Sequence, residues 1–174
     1  MKSMLFTDNW ERSLEFQFVI NDRCRKKAYV CSPLGAADRE QYLANMHAAR
    51  AYMYLASKQL GIAARAPHAY LPMLLSDDVP AERGLALEFG RRLLEQSELL
   101  LVCGDYISSG MKGEIRRAAE LRMGIRVFDE NVFIAVRKLV TQAGGDKTSV
   151  VLDRKHPLLA CRYPMEDWSY REAG

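Results

Sequence analysis

Apolar positions along the chain follow two alternating rhythms. Short, mainly apolar runs at residues 28–31, 62–66, 99–103 and 125–128 are separated by longer stretches in which apolar residues return every three or four positions. The first long stretch, residues 38–60, places Tyr42, Met46, Ala49, Met53, Ala56 and Leu60 on one helical face and closes at Gly61. A second opens at Pro80 and runs through Leu85, Phe89, Leu93 and Leu94, with Asp77, Asp78 and Glu82 near its positive end. The third fills the interval between Cys103 and Ile125. The run at 99–103 is uninterrupted, as a strand covered on both faces should be, and 125–128 repeats it.

Strands alternating with helices at this spacing need right-handed crossovers. The expected fold is therefore α/β, a doubly wound parallel sheet of flavodoxin or Rossmann type with helices on both faces. In a 2-1-3-4 strand order the switch point falls between the first and third strands, which turns loops 32–37 and 104–110 toward one crevice. The ends carry less pattern. Residues 14–20 alternate like an edge strand or a dimer contact, residues 132–140 have helical periodicity, and residues 149–152 read as a short strand after Gly144 and Gly145. A tail with His156, Tyr163, Trp168 and Tyr170 has no clear period and reads as an aromatic cover on its own surface or over a site. The expected organisation is an N-terminal extension over 1–26, an α/β domain over 27–130, and a C-terminal helix and tail over 131–174.

Length and composition narrow the class. A chain of 174 residues buries one core, and 49% hydrophobic with 27% charged residues is the balance of an ordinary globular protein. A net charge of +3 argues against nucleic acid as a partner, and the cluster Arg23, Arg25, Lys26 and Lys27 is short, has no aromatic interleaving and reads as a solvated edge. No long apolar span or cleavable signal is apparent, so no membrane partner is expected. Cys24, Cys31, Cys103 and Cys161 show neither CxxC spacing nor a nearby histidine pair. No metal or organic cofactor is implied, and free cysteines in apolar strands fit a reducing cytoplasm.

The chemistry concentrates at Glu114, read here as lying in the first turn of the helix after the third strand. A helix N-terminus offers unpaired N–H groups and partial positive charge, which favour an ionised carboxylate there. Such a carboxylate can attack the anomeric carbon of a sugar; the competing reading is an ordinary capping acid. Ser108, Ser109 and Gly110 ahead of it offer hydroxyls and close backbone approach to a phosphate or a sugar hydroxyl. Asp105 reads either as an acid toward a leaving base or as a turn former. His68 reads as a ligand contact or as a histidine satisfied by its loop. Asp77, Asp78, Glu82 and Arg83 form an ion network or line a base pocket, and Tyr29 and Tyr106 stack on a base or simply pack.

The segments KAYVCSPLG, APHAYLPMLLSDDVPAERGLALEFG and QSELLLVCGDYISSGMKGEI, followed by GIRVF, resemble the nucleoside 2-deoxyribosyltransferase-like superfamily. More closely, they resemble a largely uncharacterised branch common in bacteria, phages and mobile elements, with PH-aromatic, DD..P.ER and GD.IS.GM..EI motifs. The resemblance spans residues 27–130. It implies that Glu114 is the nucleophile, that Glu98 is the substrate-associated acid before the third strand, and that Val30, Cys31, Ser32 and Pro33, with Leu34 and Gly35, form the first-strand loop at the substrate. Ser32 stands there in place of the usual glycine, which narrows the backbone approach. Ser108 and Gly110 match the loop facing a sugar or 5'-phosphate. The implied activity is cleavage or base exchange at the N-glycosidic bond of a nucleoside or nucleotide, with Asp105 or Glu98 assisting base departure, in a homodimer or higher homo-oligomer. The alternative is a non-catalytic module that senses or sequesters a nucleotide.

Overall fold

In a computed structural model of the protein, residues 25–163 are described, and the expectations for residues 14–20, Trp168 and Tyr170 lie outside them. The apolar runs form β1 (Lys27–Cys31), β2 (Ala63–Arg65), β3 (Leu99–Val102), β4 (Gly124–Val127) and β5 (Val150–Leu152), all parallel, in the order β2-β1-β3-β4-β5. The doubly wound sheet expected from the sequence is thus present, with the segment at 150–152 added as a fifth strand. Because β1 is paired on both sides, Val30 and Cys31 lie beside Leu101 and Val102 at the carboxyl edge. That edge is where the strand order reverses.

The connections are α1 (Arg39–Leu60), α2 (Pro80–Glu95), α3 (Ser109–Glu120) and α4 (Glu130–Gln142). Asp38 and Asp129 start α1 and α4 by accepting from the amides of Gln41 and Val132 at 2.8 and 2.9 Å. Gly61 ends α1 with φ of 63°, a left-handed turn that suits glycine. One sheet face, carrying Ala28, Val30, Leu99 and Leu101, packs on α1 and on the short turn Pro157–Ala160. The other, carrying Tyr29, Cys31, Leu100, Val102, Ile125 and Val127, packs on α3, α4 and the end of α2. Strand alternation in β1 therefore sends Tyr29 and Cys31 toward α3, a placement that matters below.

Two details differ from the sequence reading. The inward face of α2 was expected to run through Leu85 and Phe89, but these are 59% and 44% exposed; only Leu93 and Leu94 of the expected set are buried. The side of α2 turned to a cavity is instead that of Ala86, Gly90 and Leu94, with Arg83 and Leu87 lining it from exposed positions. The helix holding Glu114 also begins earlier than expected. Its cap is Ser108, which accepts from the Met111 amide at 3.4 Å, so Glu114 sits in the second turn, where the end charge of the helix has largely faded.

Candidate functional site

Glu114 follows the buried stripe of α3 defined by Met111, Ile115 and Ala118, and this turns its carboxyl toward β1. There the Tyr29 hydroxyl donates to Glu114 Oε1 at 2.7 Å. The Cys31 thiol, within 4.0 Å of the Met111 carbonyl, lies on the same side of the strand. Burial pushes the Glu114 carboxyl above the usual carboxylate range, against smaller opposing pulls from Tyr29 and Cys31. The expectation that the helix end would favour the ionised form is thus corrected: desolvation outweighs the dipole, because the carboxyl is one turn too deep. Burial, reinforced by the neighbouring Glu114, also lifts Tyr29 well above its ordinary value, which keeps the phenol protonated and able to donate.

A cavity of about 760 Å³ opens beside this pair, a size suited to a small organic ligand. Its floor is the carboxyl edge of β1, with Tyr29, Ser32 and the loop residues Leu34, Gly35 and Ala36. Asn45, buried in α1, donates to the Leu34 carbonyl at 3.1 Å and so holds this loop. The far wall comes from Pro67, His68, Leu71, Pro72 and Leu75 together with the inner side of α2, and the near wall is the start of α3, with Ser108, Ser109, Gly110 and Glu114. Gly90 of α2 faces the Tyr29 hydroxyl, and a methyl group at that position would lie 3.6 Å from it. A larger side chain at Gly90 would take space from the cavity.

Ser32 is only 4% exposed, and its Oγ lies 2.7 Å from His68 Nε2. Burial pushes His68 down to about 4, so its ring is neutral at ordinary pH. At the cavity's edge the Tyr42 hydroxyl donates to Asp77 at 3.2 Å, and burial followed by this carboxylate pushes Tyr42 up to about 12. Three arginines reach the wall. Arg91 is held by Glu88 and Glu95, and Arg117 by Glu95 and Glu120, whereas the Arg83 side chain makes no ion pair among the described residues.

Of the residues singled out in the sequence, Glu114, Ser32, Leu34, Gly35, His68, Ser108, Ser109 and Gly110 line this one cavity. Pro33 shapes the loop without lining it; its Cδ would lie 3.7 Å from a methyl group placed on Gly104. Asp105 and Glu98 are not brought to the cavity. Gly104, with φ of 90°, bends the chain after β3 and bonds through its amide to the Leu159 carbonyl at 2.9 Å. Asp105 then faces the C-terminal segment, accepting from Arg162 Nε at 2.6 and 2.9 Å, while Arg162 also covers the Tyr106 ring at 5.0 Å. Glu98 lies at the amino edge of the sheet, where it accepts from the Lys27 amide at 2.9 Å. The length of β3, about 13 Å for four residues, separates it from the edge that bears the cavity.

Sequence reasoning did not assign Tyr29 to Glu114, nor Tyr42, Arg91 and Arg117 to the wall. The alternation of β1 carried a signal for Tyr29, since it shares a strand face with Cys31. The helical spacing 86-90-94 carried one for α2, hidden by the more apolar face at 85 and 89.

Comparison with known proteins gives three findings. No curated protein matches the chain. A solved 2-deoxyribosyltransferase from the psychrotolerant bacterium Bacillus psychrosaccharolyticus is similar at 16% identity with a TM-score of 0.45, over 59% of this chain and 72% of that one. The family described as Domain of unknown function (DUF7768) matches residues 26–128, the stretch that contains β1 through β4 and every residue of the cavity wall, and the chain belongs to that family.

Proposed function

We propose that the protein breaks the N-glycosidic bond of a nucleoside or nucleotide, with Glu114 as the nucleophile and water or a second base completing the turnover. The observation that carries this reading is the Glu114 carboxyl itself, held by one oxygen on Tyr29 and lining a ligand-sized cavity at the switch point of a parallel sheet. Tyr29 holds the carboxylate through Oε1, and the carboxylate attacks C1' of a (deoxy)ribosyl group. The bond from C1' to the base nitrogen breaks with its electron pair on the base, and a glycosyl ester of Glu114 remains. Hydrolysis of the ester by water, or its capture by another base, restores the carboxylate.

Attack needs the ionised form, so burial sets the acid side of the activity and the Tyr29 bond offsets part of that cost. Incubation with a panel of nucleosides and nucleotides, with free base followed by chromatography, tests the reading. Base release that Glu114→Gln removes supports it, and undiminished release from that variant overturns it.

A second reading rests on the same carboxyl. A glutamic acid held toward its neutral form by burial is a hydrogen-bonding partner rather than a nucleophile, as a nucleotide sensor or sequestering module would use it. An intact nucleotide recovered from the purified protein, with no base released from it over hours, decides for this reading.

The homo-oligomer expected from the resemblance has a surface suited to it in the outer side of α2. Leu85, Leu87 and Phe89 are 59%, 65% and 44% exposed there, next to Glu88, Arg91 and Arg92. Apolar residues flanked by both charge signs suit a two-fold contact with a second copy, which would also cover the cavity wall that Leu87 supplies. Light scattering that gives two chains per particle, reduced to one by Leu85→Glu with Phe89→Glu, is the expected result.

A further inference from the structure

We propose that Ser32 and His68 act together as a neutral hydrogen-bonding couple toward the departing heterocycle, taking the place of an acid. The inference rests on Glu114 as the nucleophile and adds what happens at the other end of the broken bond. A base leaving C1' carries off an electron pair, and the charge that develops on the heterocycle has to be met by a donor inside the cavity. Asp105 and Glu98 do not reach it. Among the cavity residues, the Tyr29 hydroxyl is already given to Glu114, Asp77 accepts from Tyr42, and Arg91 and Arg117 are engaged by Glu88, Glu95 and Glu120.

Arg83, Ser108 and Ser109 also line the cavity, but Arg83 and Ser109 are exposed and Ser108 caps α3, whereas Ser32 and His68, on two different loops that converge on the cavity, are bonded to each other at 2.7 Å with Ser32 buried. Ser32 follows Tyr29 by three residues on the same strand and its end, about 10 Å along the chain, so one ligand can meet both. Burial keeps the His68 ring neutral, with one nitrogen a donor and the other an acceptor. With the proton on Nε2, the ring donates to Ser32 Oγ and the serine hydrogen is free to point into the cavity. A hydroxyl polarised in this way, in a site of low dielectric, is a stronger donor than serine alone. No proton needs to leave the couple: the heterocycle departs with the electron pair of the C1' bond, is held by the serine hydrogen, and takes its proton from water on release.

The test compares leaving groups. Release of heterocycle from ordinary nucleosides is measured beside release of para-nitrophenol from a para-nitrophenyl (deoxy)riboside, whose leaving group needs no help. Ser32→Ala and His68→Ala are expected to lower kcat on nucleosides by about ten- to a hundredfold, with KM changed little and para-nitrophenol release kept within about twofold of the parent protein. His68→Gln, whose amide nitrogen can stand where Nε2 stands, restores part of the nucleoside rate. Equal losses on both substrates, or no loss on either, overturn the proposal. Glu114→Gln, by contrast, abolishes both reactions; if it does not, or if the parent protein releases neither product, the nucleophile reading falls first and this proposal with it. Should His68→Ala not fold, as judged by its thermal transition, Ser32→Ala carries the same expectation.

Discussion

The two edges of the β1–β3 pair treat a glutamate in opposite ways. At the carboxyl edge Glu114 is desolvated, bonded to a buried phenol and open to a cavity. At the amino edge Glu98 is exposed and accepts from a backbone amide at the start of the neighbouring strand. Both acids belong to the segment with the strongest motif, and both were candidates for reactivity. What separates them is the direction of the strands. In a parallel sheet all strands end together, the loops that follow them converge at one edge, and only there does the reversal of strand order open a crevice. An acid just before a strand starts is at the wrong end, whatever its chemistry.

The largest expected effect falls on the carboxyl edge. Glu114→Gln should lower base release by at least about a thousandfold, measured as single-turnover product formation, while leaving nucleotide binding nearly unchanged. The same substitution should raise stability at neutral pH. The folded-state pKa of Glu114 lies above its unfolded value, so the stability associated with the neutral acid is fullest below the ordinary carboxylate range and is lost as pH rises through the raised value. A denaturant midpoint that does not rise in Glu114→Gln at neutral pH would show that the carboxyl carries no desolvation cost.

Tyr29→Phe is the next largest. Loss of a hydrogen bond to a charged group is worth about 1.5–3 kcal/mol, or roughly a ten- to 150-fold fall in rate. Because the phenol lowers the carboxyl's pKa against the pull of burial, its removal should also move the acid limb of the pH–rate profile upward. In the parent protein that limb should already lie above the ordinary carboxylate range, since the proposed attack needs ionised Glu114. His68, pushed down to about 4, should add no limb between pH 5 and 8. A profile that is flat down to the usual carboxylate pKa would break the contrast between the two glutamates.

Glu98→Gln sharpens the comparison from the other side: activity unchanged, with a stability loss of about 1 kcal/mol or less from one exposed hydrogen bond. A large loss of activity there would mean that the amino edge reaches the chemistry. The smallest effect belongs to Arg162→Ala, which breaks a surface ion pair with Asp105 and should cost about 0–1 kcal/mol in chemical denaturation with little change in rate.

Legibility in the sequence followed the same division. The strands were readable because continuous apolar runs such as Leu99 to Val102 have a physical cause, burial on both faces, and their alternation with helices fixes a parallel order. Loops carrying Ser32 and Ser108 could be brought together on topology alone. The depth of Glu114 could not, because it depended on where α3 begins: the cap is Ser108, which makes the acid the sixth helical residue and puts it in the second turn. Nor could the inward side of α2, where a cavity rather than a core selects Ala86 and Gly90 while Leu85, Leu87 and Phe89 stay largely exposed. Hydrophobic pattern reports contact with a core and is silent about an empty space.

The central place of β1 has a consequence for how activity is lost. Tyr29 stands on the first described strand, His68 follows the second and Glu114 follows the third, and β1 has no sheet neighbour until residues 63–65 and 99–102 have come in on either side of it. The three side chains are strangers in the unfolded chain and become neighbours only through long-range pairing, the slow and cooperative part of assembly. Heat or denaturant should therefore erase turnover and the sheet at one shared midpoint, so that a simple assay for liberated base doubles as a gauge of how many molecules have their inner strand in place.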